Sequence, residues 1–184
     1  MINNKPLAVR IRPQHLRDVV GQEHLTQKTG ILNRFLEEKR LMSMIFFGPP
    51  GSGKTTAASI LANELNLPLE LFNAVTGNKK ELDSIFANAR LSGQLVMIVD
   101  EVHRLNKDKQ DLLLPYVEDG SILMIGLTSA NPYFAINPAI RSRCILCEFK
   151  AVNPESMKKA IKRALNHEES QLSIQLEPNS YQSI

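Results

Sequence analysis

Gly48-Pro49-Pro50-Gly51-Ser52-Gly53-Lys54-Thr55 meets each position of the phosphate-loop pattern G-x-x-x-x-G-K-[ST], directly behind the apolar run Met44-Ile45-Phe46-Phe47. That run reads as a buried strand. From Thr56 to Leu65 the chain reads as a helix, with Ala57, Leu61 and Leu65 on one face and Ala58 and Ala62 beside them. Strand, glycine loop and helix thus follow in the order the motif needs. The glycines let the backbone curl so that successive N–H groups and the helix N-terminus point at the β- and γ-phosphates of a nucleotide. Lys54 adds a cation between those phosphates, and the Thr55 hydroxyl is placed to coordinate Mg2+. A chance glycine-rich turn would not bring all these positions together, so ATP with Mg2+ is the expected ligand, held by residues 48–55 and the adjoining Thr56.

A phosphate loop needs a second strand that delivers carboxylates, and Leu95-Val96-Met97-Ile98-Val99-Asp100-Glu101 supplies one. An unbroken apolar run of this kind suits a central parallel strand buried on both faces. Asp100 at its carboxyl end can hold Mg2+ through water, and Glu101 can polarise the water that attacks the γ-phosphate. The alternative, an acidic first turn of a helix, does not explain why the pair accompanies a complete phosphate loop.

The rest of the composition sets modest bounds. The 184 residues, 43% of them hydrophobic, allow one domain of ordinary size plus a small extra element. No apolar stretch follows Met1-Ile2-Asn3-Asn4-Lys5 and no run reaches membrane-spanning length, so a cytoplasmic protein with no membrane partner is expected, nucleoid-associated if bacterial. A net charge of +3 is too small to announce nucleic acid. Cys144 and Cys147 form a C-x-x-C without a second ligand pair, which favours two buried, reduced thiols on opposite faces of a strand over a metal or redox site. His15, His24, His103 and His167 are scattered, and His103 follows the acids rather than facing them, as a helix-start or interface residue would.

Along the chain, strand and helix signals alternate. Helices are predicted from Gln22 to about Lys39, Lys79 to Leu91, Asn106 to Glu118 and near Ala139; further strands at Leu69 to Asn73, Ile122 to Leu127 and Ile145 to Phe149. The expected fold is an α/β nucleotide-binding domain over residues 1–150, a parallel five-stranded sheet with helices on both faces. At Ala151 the pattern changes: Asn153, Pro154 and Glu155 supply a cap, a first-turn proline and an early acid. The helix they begin carries Met157, Ala160, Ile161, Ala164 and Leu165 on one face, and residues 151–184 are expected to open a helical lid that continues past Leu172, Ile174, Leu176 and Pro178.

Four segments carry a more specific likeness: Asp100-Glu101-Val102-His103-Arg104; Lys109-Gln110-Asp111-Leu112-Leu113-Leu114-Pro115; Gly126-Leu127-Thr128-Ser129-Ala130-Asn131-Pro132; and Asn137-Pro138-Ala139-Ile140-Arg141-Ser142-Arg143-Cys144. With them the chain resembles AAA+ ATPases of the clamp-loader clade. The Asn73-Ala74-Val75-Thr76 turn and the opening Leu7-Ala8-Val9-Arg10-Ile11-Arg12-Pro13 narrow the likeness to the replication-associated recombination protein A family, whose eukaryotic relatives are the Werner-helicase-interacting ATPases. The likeness runs from about residue 7 to about residue 165.

The resemblance implies roles for further residues. Val19, Val20, Gly21 and Gln22 match the segment that lies against the adenine, Ser129 matches sensor 1 with Thr128 as the alternative, and Arg143 matches the arginine that reaches the γ-phosphate of a neighbouring subunit. It also implies a DNA-associated ATPase of replication and recombination repair, working at forks or single-stranded or gapped DNA as a homo-oligomer, with replication or repair proteins as possible partners. The sensor 2 arginine and the region through which such proteins assemble have no counterpart in this chain, which therefore looks like the ATPase core of a longer protein. Two alternatives stay open: a nucleotide-dependent scaffold with slow hydrolysis, and a clamp-loader or Holliday-junction motor subunit. Lys158 with Lys162, Lys159 with Arg163, and Lys79 with Lys80 are the basic candidates for DNA phosphates, against the plainer reading of solvated surface.

Overall fold

The computed structural model of the protein describes residues 10–172. Leu7 to Val9 at the opening, and Ile174, Leu176 and Pro178, lie outside those residues. Five strands form one sheet: β1 (Met44–Phe47), β2 (Leu69–Asn73), β3 (Leu95–Asp100), β4 (Ile122–Thr128) and β5 (Ile145–Glu148). Their order is β2-β3-β4-β1-β5, and each neighbouring pair is parallel.

Alternate residues of the central strands feed two separate cores, which is why these runs are apolar throughout rather than alternating with polar residues. Met44 and Phe46 of β1, Val96 and Ile98 of β3, and Leu123, Ile125 and Leu127 of β4 face one core. The helix α3 (Lys54–Glu64) covers it with Ala57, Ala58, Ile60, Leu61 and Ala62. Ile45, Met97, Val99, Ile122 and Met124 face the other, closed by α4 (Lys79–Ser92) through Leu82, Ile85, Phe86 and Ala89, and by α5 (Lys107–Glu118) through Leu113 and Val117. Full burial of a side chain such as Phe46 or Phe72 stabilises the fold by roughly 1.5–3 kcal/mol.

The helix expected from Gln22 to Lys39 is two helices. α1 (Glu23–Thr26) stops at Gln27, whose ψ of 169° is extended, and α2 (Ile31–Glu37) starts after Gly30. A Cβ at position 30 would lie 2.3 Å from the Leu25 carbonyl oxygen, so the chain can fold back there only at glycine. α6 (Pro132–Ala135), unforeseen from the sequence, and α7 (Pro138–Arg141) form a pair of single turns, each opened by an asparagine cap and a proline. α8 (Pro154–Leu172) starts as expected, with the Asn153 side chain accepting the Ser156 N–H at 2.8 Å. Its anticipated apolar face is only half covered, for Met157 is exposed while Ala160, Ile161, Ala164 and Leu165 are half-buried.

Candidate nucleotide site

The phosphate loop leaves the carboxyl end of β1 and enters α3 at Lys54, with Gly48, Gly51 and Gly53 at φ of 142°, 72° and 95°. The turn is tight: a Cβ on Gly48 would meet the Phe149 carbonyl oxygen at 2.0 Å. Lys54 Nζ folds back over the loop and donates to the Gly48 and Pro49 carbonyls at 2.7 and 2.8 Å, with Ser52 Oγ at 3.5 Å. Desolvation lowers the pKa of this ammonium, while Glu101 and Asp100 act in the opposite direction. An anion set in the loop would stabilise the charged form, so the residues fit a phosphate. Thr55 and Pro50 are exposed, Thr56 is half-buried and Ser52 is buried.

The acids reach the same edge from β3. Because β4 lies between β3 and β1, residues at its carboxyl end stand between the carboxylates and the loop, and the Thr128 carbonyl indeed accepts the Gly48 N–H at 3.2 Å. Asp100 is exposed and its Oδ1 accepts the Glu101 N–H at 3.1 Å. Glu101 has a left-handed backbone, φ 53° and ψ 44°, a conformation that costs a residue other than glycine about 1–3 kcal/mol. The surrounding turn maintains it. Arg104 N–H donates to the Glu101 carbonyl at 2.7 Å, and Val102 packs against Gly126 of β4, where a Cβ would come to 3.0 Å.

His103, placed away from the acids by the sequence reading, turns back toward them. Its Nδ1 lies 3.3 Å from Glu101 Oε2 and 2.9 Å from Thr128 Oγ1. The chain bends here through the left-handed Glu101 and the short 3-10 turn over Val102–Arg104, which departs from the line of β3. Thr128 is 1% exposed and its Oγ1 also accepts the Ala130 N–H at 2.9 Å, whereas Ser129 is exposed at the end of β4.

Val19 to Gln22 lie beside the loop. Val19 is buried and its Cγ1 would stand 3.3 Å from a Cβ on Gly53; Gly21, at φ 76°, faces Val152, and Val20 is half-buried. The Gln22 side chain is engaged by the protein itself. It is fully buried, and its amide donates to the Ser52 and Lys150 carbonyls at 3.2 and 2.7 Å while accepting the Lys150 N–H at 2.9 Å. Its position in the sequence motif reflects a tie between the loop and the end of β5.

Arg143 is not brought to the phosphate loop of its own chain. It precedes β5, whose Ile145 is in register with Met44 at the amino end of β1, about 10 Å of strand away from the loop's edge. There its guanidinium donates to the Ala139 carbonyl at 2.7 Å and pairs with Glu118. Arg141 caps the same region, donating to the Tyr133 carbonyl at 2.7 Å with its guanidinium 5.2 Å over that ring. Arg163 donates to the Asp18 carbonyl at 2.8 Å and so leaves the basic row, while Lys158, Lys159, Lys162, Lys79 and Lys80 are exposed.

The cysteines do sit on opposite sides of β5, Cys147 in the α3 core and Cys144, half-buried just before the strand, against the other. Burial pushes both thiols up to about 12, which disfavours the thiolate that redox or metal chemistry would need. Among the described residues no cluster of His, Cys, Asp and Glu could hold a metal by itself, and no helix is long and apolar enough to cross a membrane.

Residues 11–137 match the model of the Holliday junction DNA helicase RuvB P-loop domain. Replication-associated recombination protein A of Bacillus subtilis (strain 168) is 49% identical over 89% of this chain and 39% of its own length; that of Escherichia coli (strain K12) is 40% identical over 88% and 37%. The RuvB Holliday junction branch migration motor of Thermotoga maritima superposes with a TM-score of 0.72 at 26% identity, covering 91% of this chain and 56% of that one. The chain therefore spans about two fifths of the length of these curated relatives. From its phosphate loop, its sheet and the match over residues 11–137, the chain belongs to the family of the Holliday junction DNA helicase RuvB P-loop domain, and its sequence is similar to that of replication-associated recombination protein A.

Proposed function

We propose that this chain is the ATP-binding and ATP-hydrolysing core of a DNA-associated replication and recombination-repair protein acting at forks or single-strand gaps. One observation carries the enzymatic part: the phosphate loop and the Asp100–Glu101 pair meet at one edge of the sheet, with the end of β4 between them. The DNA part is supported by the names of the relatives, at 49% and 40% identity.

In this reading the loop N–H groups and Lys54 bind the β- and γ-phosphates of ATP, beside the Val19–Gly21 segment. Thr55 and Asp100 would hold Mg2+, which when bound offsets the negative charge of the phosphate oxygens. Glu101 accepts the proton of a water whose oxygen bonds to the γ-phosphorus as the bond to the ADP oxygen breaks, giving ADP and phosphate. Ser129, exposed at the end of β4, contacts the γ-phosphate or that water, while Thr128 serves the protein side of the same strand. Arg143 completes the site of a neighbouring copy, and α8 begins a lid over the base. The RuvB likeness favours a branch-migration motor as the second reading, at a lower identity of 26%.

Lys54→Ala and Glu101→Gln separate the roles. In the full-length protein, titration with ATP should show lost affinity for the first and retained affinity with lost hydrolysis for the second. Equal loss of affinity in both would contradict the division of labour.

A further inference from the structure

His103 is held where it can govern Glu101. A carboxylate only accepts hydrogen bonds, so Nδ1 bonds to Glu101 Oε2 only when it carries the ring hydrogen. Thr128 Oγ1 accepts the Ala130 N–H and keeps its own hydrogen and a second lone pair, so it can pair with Nδ1 in either tautomer. The two oxygens, 3.3 and 2.9 Å away, are both within reach of one ring nitrogen; the hydrogen bond made here is the one to Thr128 Oγ1, with Glu101 Oε2 beside it as an ion-pair neighbour. Thr128 is in turn tied by its carbonyl to Gly48 at the start of the phosphate loop. The histidine is 17% exposed and its backbone is pinned by Val102 against Gly126, so the ring has little freedom to leave. Glu101, by contrast, is 43% exposed, and among the described residues His103 is the side chain that meets its carboxylate.

We propose that His103 is the positioning residue of the hydrolytic site: a hydrogen bond from Nδ1–H, formed when the ring turns from Thr128 to the adjacent carboxylate, orients Glu101 toward the attacking water, and its return to Thr128, the bond made in this structure, releases it. The proposal rests on the reading of Glu101 as the group that activates water. A carboxylate no longer held in line loses turnover while nucleotide binding, which belongs to the loop, stays.

The test compares ATP turnover and ATP affinity for the full-length wild type, His103→Ala, His103→Asn and His103→Gln, with Glu101→Gln as the blank. An asparagine amide can occupy the place of Nδ1 and a glutamine amide that of Nε2, so the two replacements discriminate between the ring nitrogens. The expected result is a fall in kcat of about tenfold or more for His103→Ala at unchanged affinity. His103→Asn should recover much of the rate and His103→Gln should not. Unchanged affinity also shows that the variants are folded.

Wild-type turnover in His103→Ala would overturn the proposal, as would an asparagine variant no better than alanine. If the wild type binds ATP without hydrolysing it, the proposal and the ATPase reading fall together; if it hydrolyses ATP and His103→Ala does too, only the proposal falls.

Discussion

Gln22 shows how one buried side chain can tie a loop to a distant part of the chain. Its buried amide joins the phosphate loop at Ser52 to the chain leaving β5 at Lys150, across 128 residues of sequence. Leucine fills a similar volume but leaves the Lys150 N–H and two carbonyls without that partner, and an unsatisfied buried group costs about 1–3 kcal/mol. Gln22→Leu should therefore destabilise the protein by about 2 kcal/mol or more in urea unfolding and weaken ATP binding. A loss too small to resolve would mean that water satisfies those groups. Glu101 and His103 make the complementary point, since the left-handed backbone at Glu101 and the 3-10 turn behind it put both side chains at one place. The strain is local, and the residues it serves are those assigned to hydrolysis.

Among the elements, Ile122 to Thr128 carries the least chemistry in its sequence and the most in its position. The strands, their parallel sense and the helices after them were legible, because continuous apolar runs and helical repeats report burial directly. The insertion of β4 between β3 and β1 was not, since strand order depends on which faces pack together rather than on any run's own composition. For the same reason the motif residues were readable but the meeting of His103 with Glu101 and Thr128 was not. The division of the Gln22–Lys39 region was signalled only by Gly30, which periodicity alone passes over. Gly30→Ala should lower stability by about 1–3 kcal/mol, the cost of forcing an atom into an occupied space, with ATP affinity per folded molecule kept. A thermal melt at the wild-type temperature would show that the α1–α2 turn relaxes around the added methyl.

At the scale of the whole molecule, the groups assigned to hydrolysis are divided between two edges of the sheet. The phosphate loop, acids and Ser129 lie at one, and Arg143 lies at the other, paired with Glu118 and capping α7. Such a molecule can bring Arg143 to a γ-phosphate only by stacking on a second copy. Mixing full-length Arg143→Ala with full-length Glu101→Gln should therefore restore part of the hydrolysis that each lacks alone, whereas mixtures that stay inactive while the wild type is oligomeric would remove Arg143 from that role. Under the proposed function, exposed Lys79, Lys80, Lys158, Lys159 and Lys162 would supply cations for DNA phosphates, contacts that would weaken as salt rises. Steady-state ATP hydrolysis by the full-length protein, with and without forked or single-stranded DNA, at low and higher salt and with Glu101→Gln as the blank, is the decisive assay. Turnover should be stimulated by DNA, diminished by salt and abolished by Glu101→Gln. ATP bound tightly but left intact, with DNA or without, would contradict the proposed function.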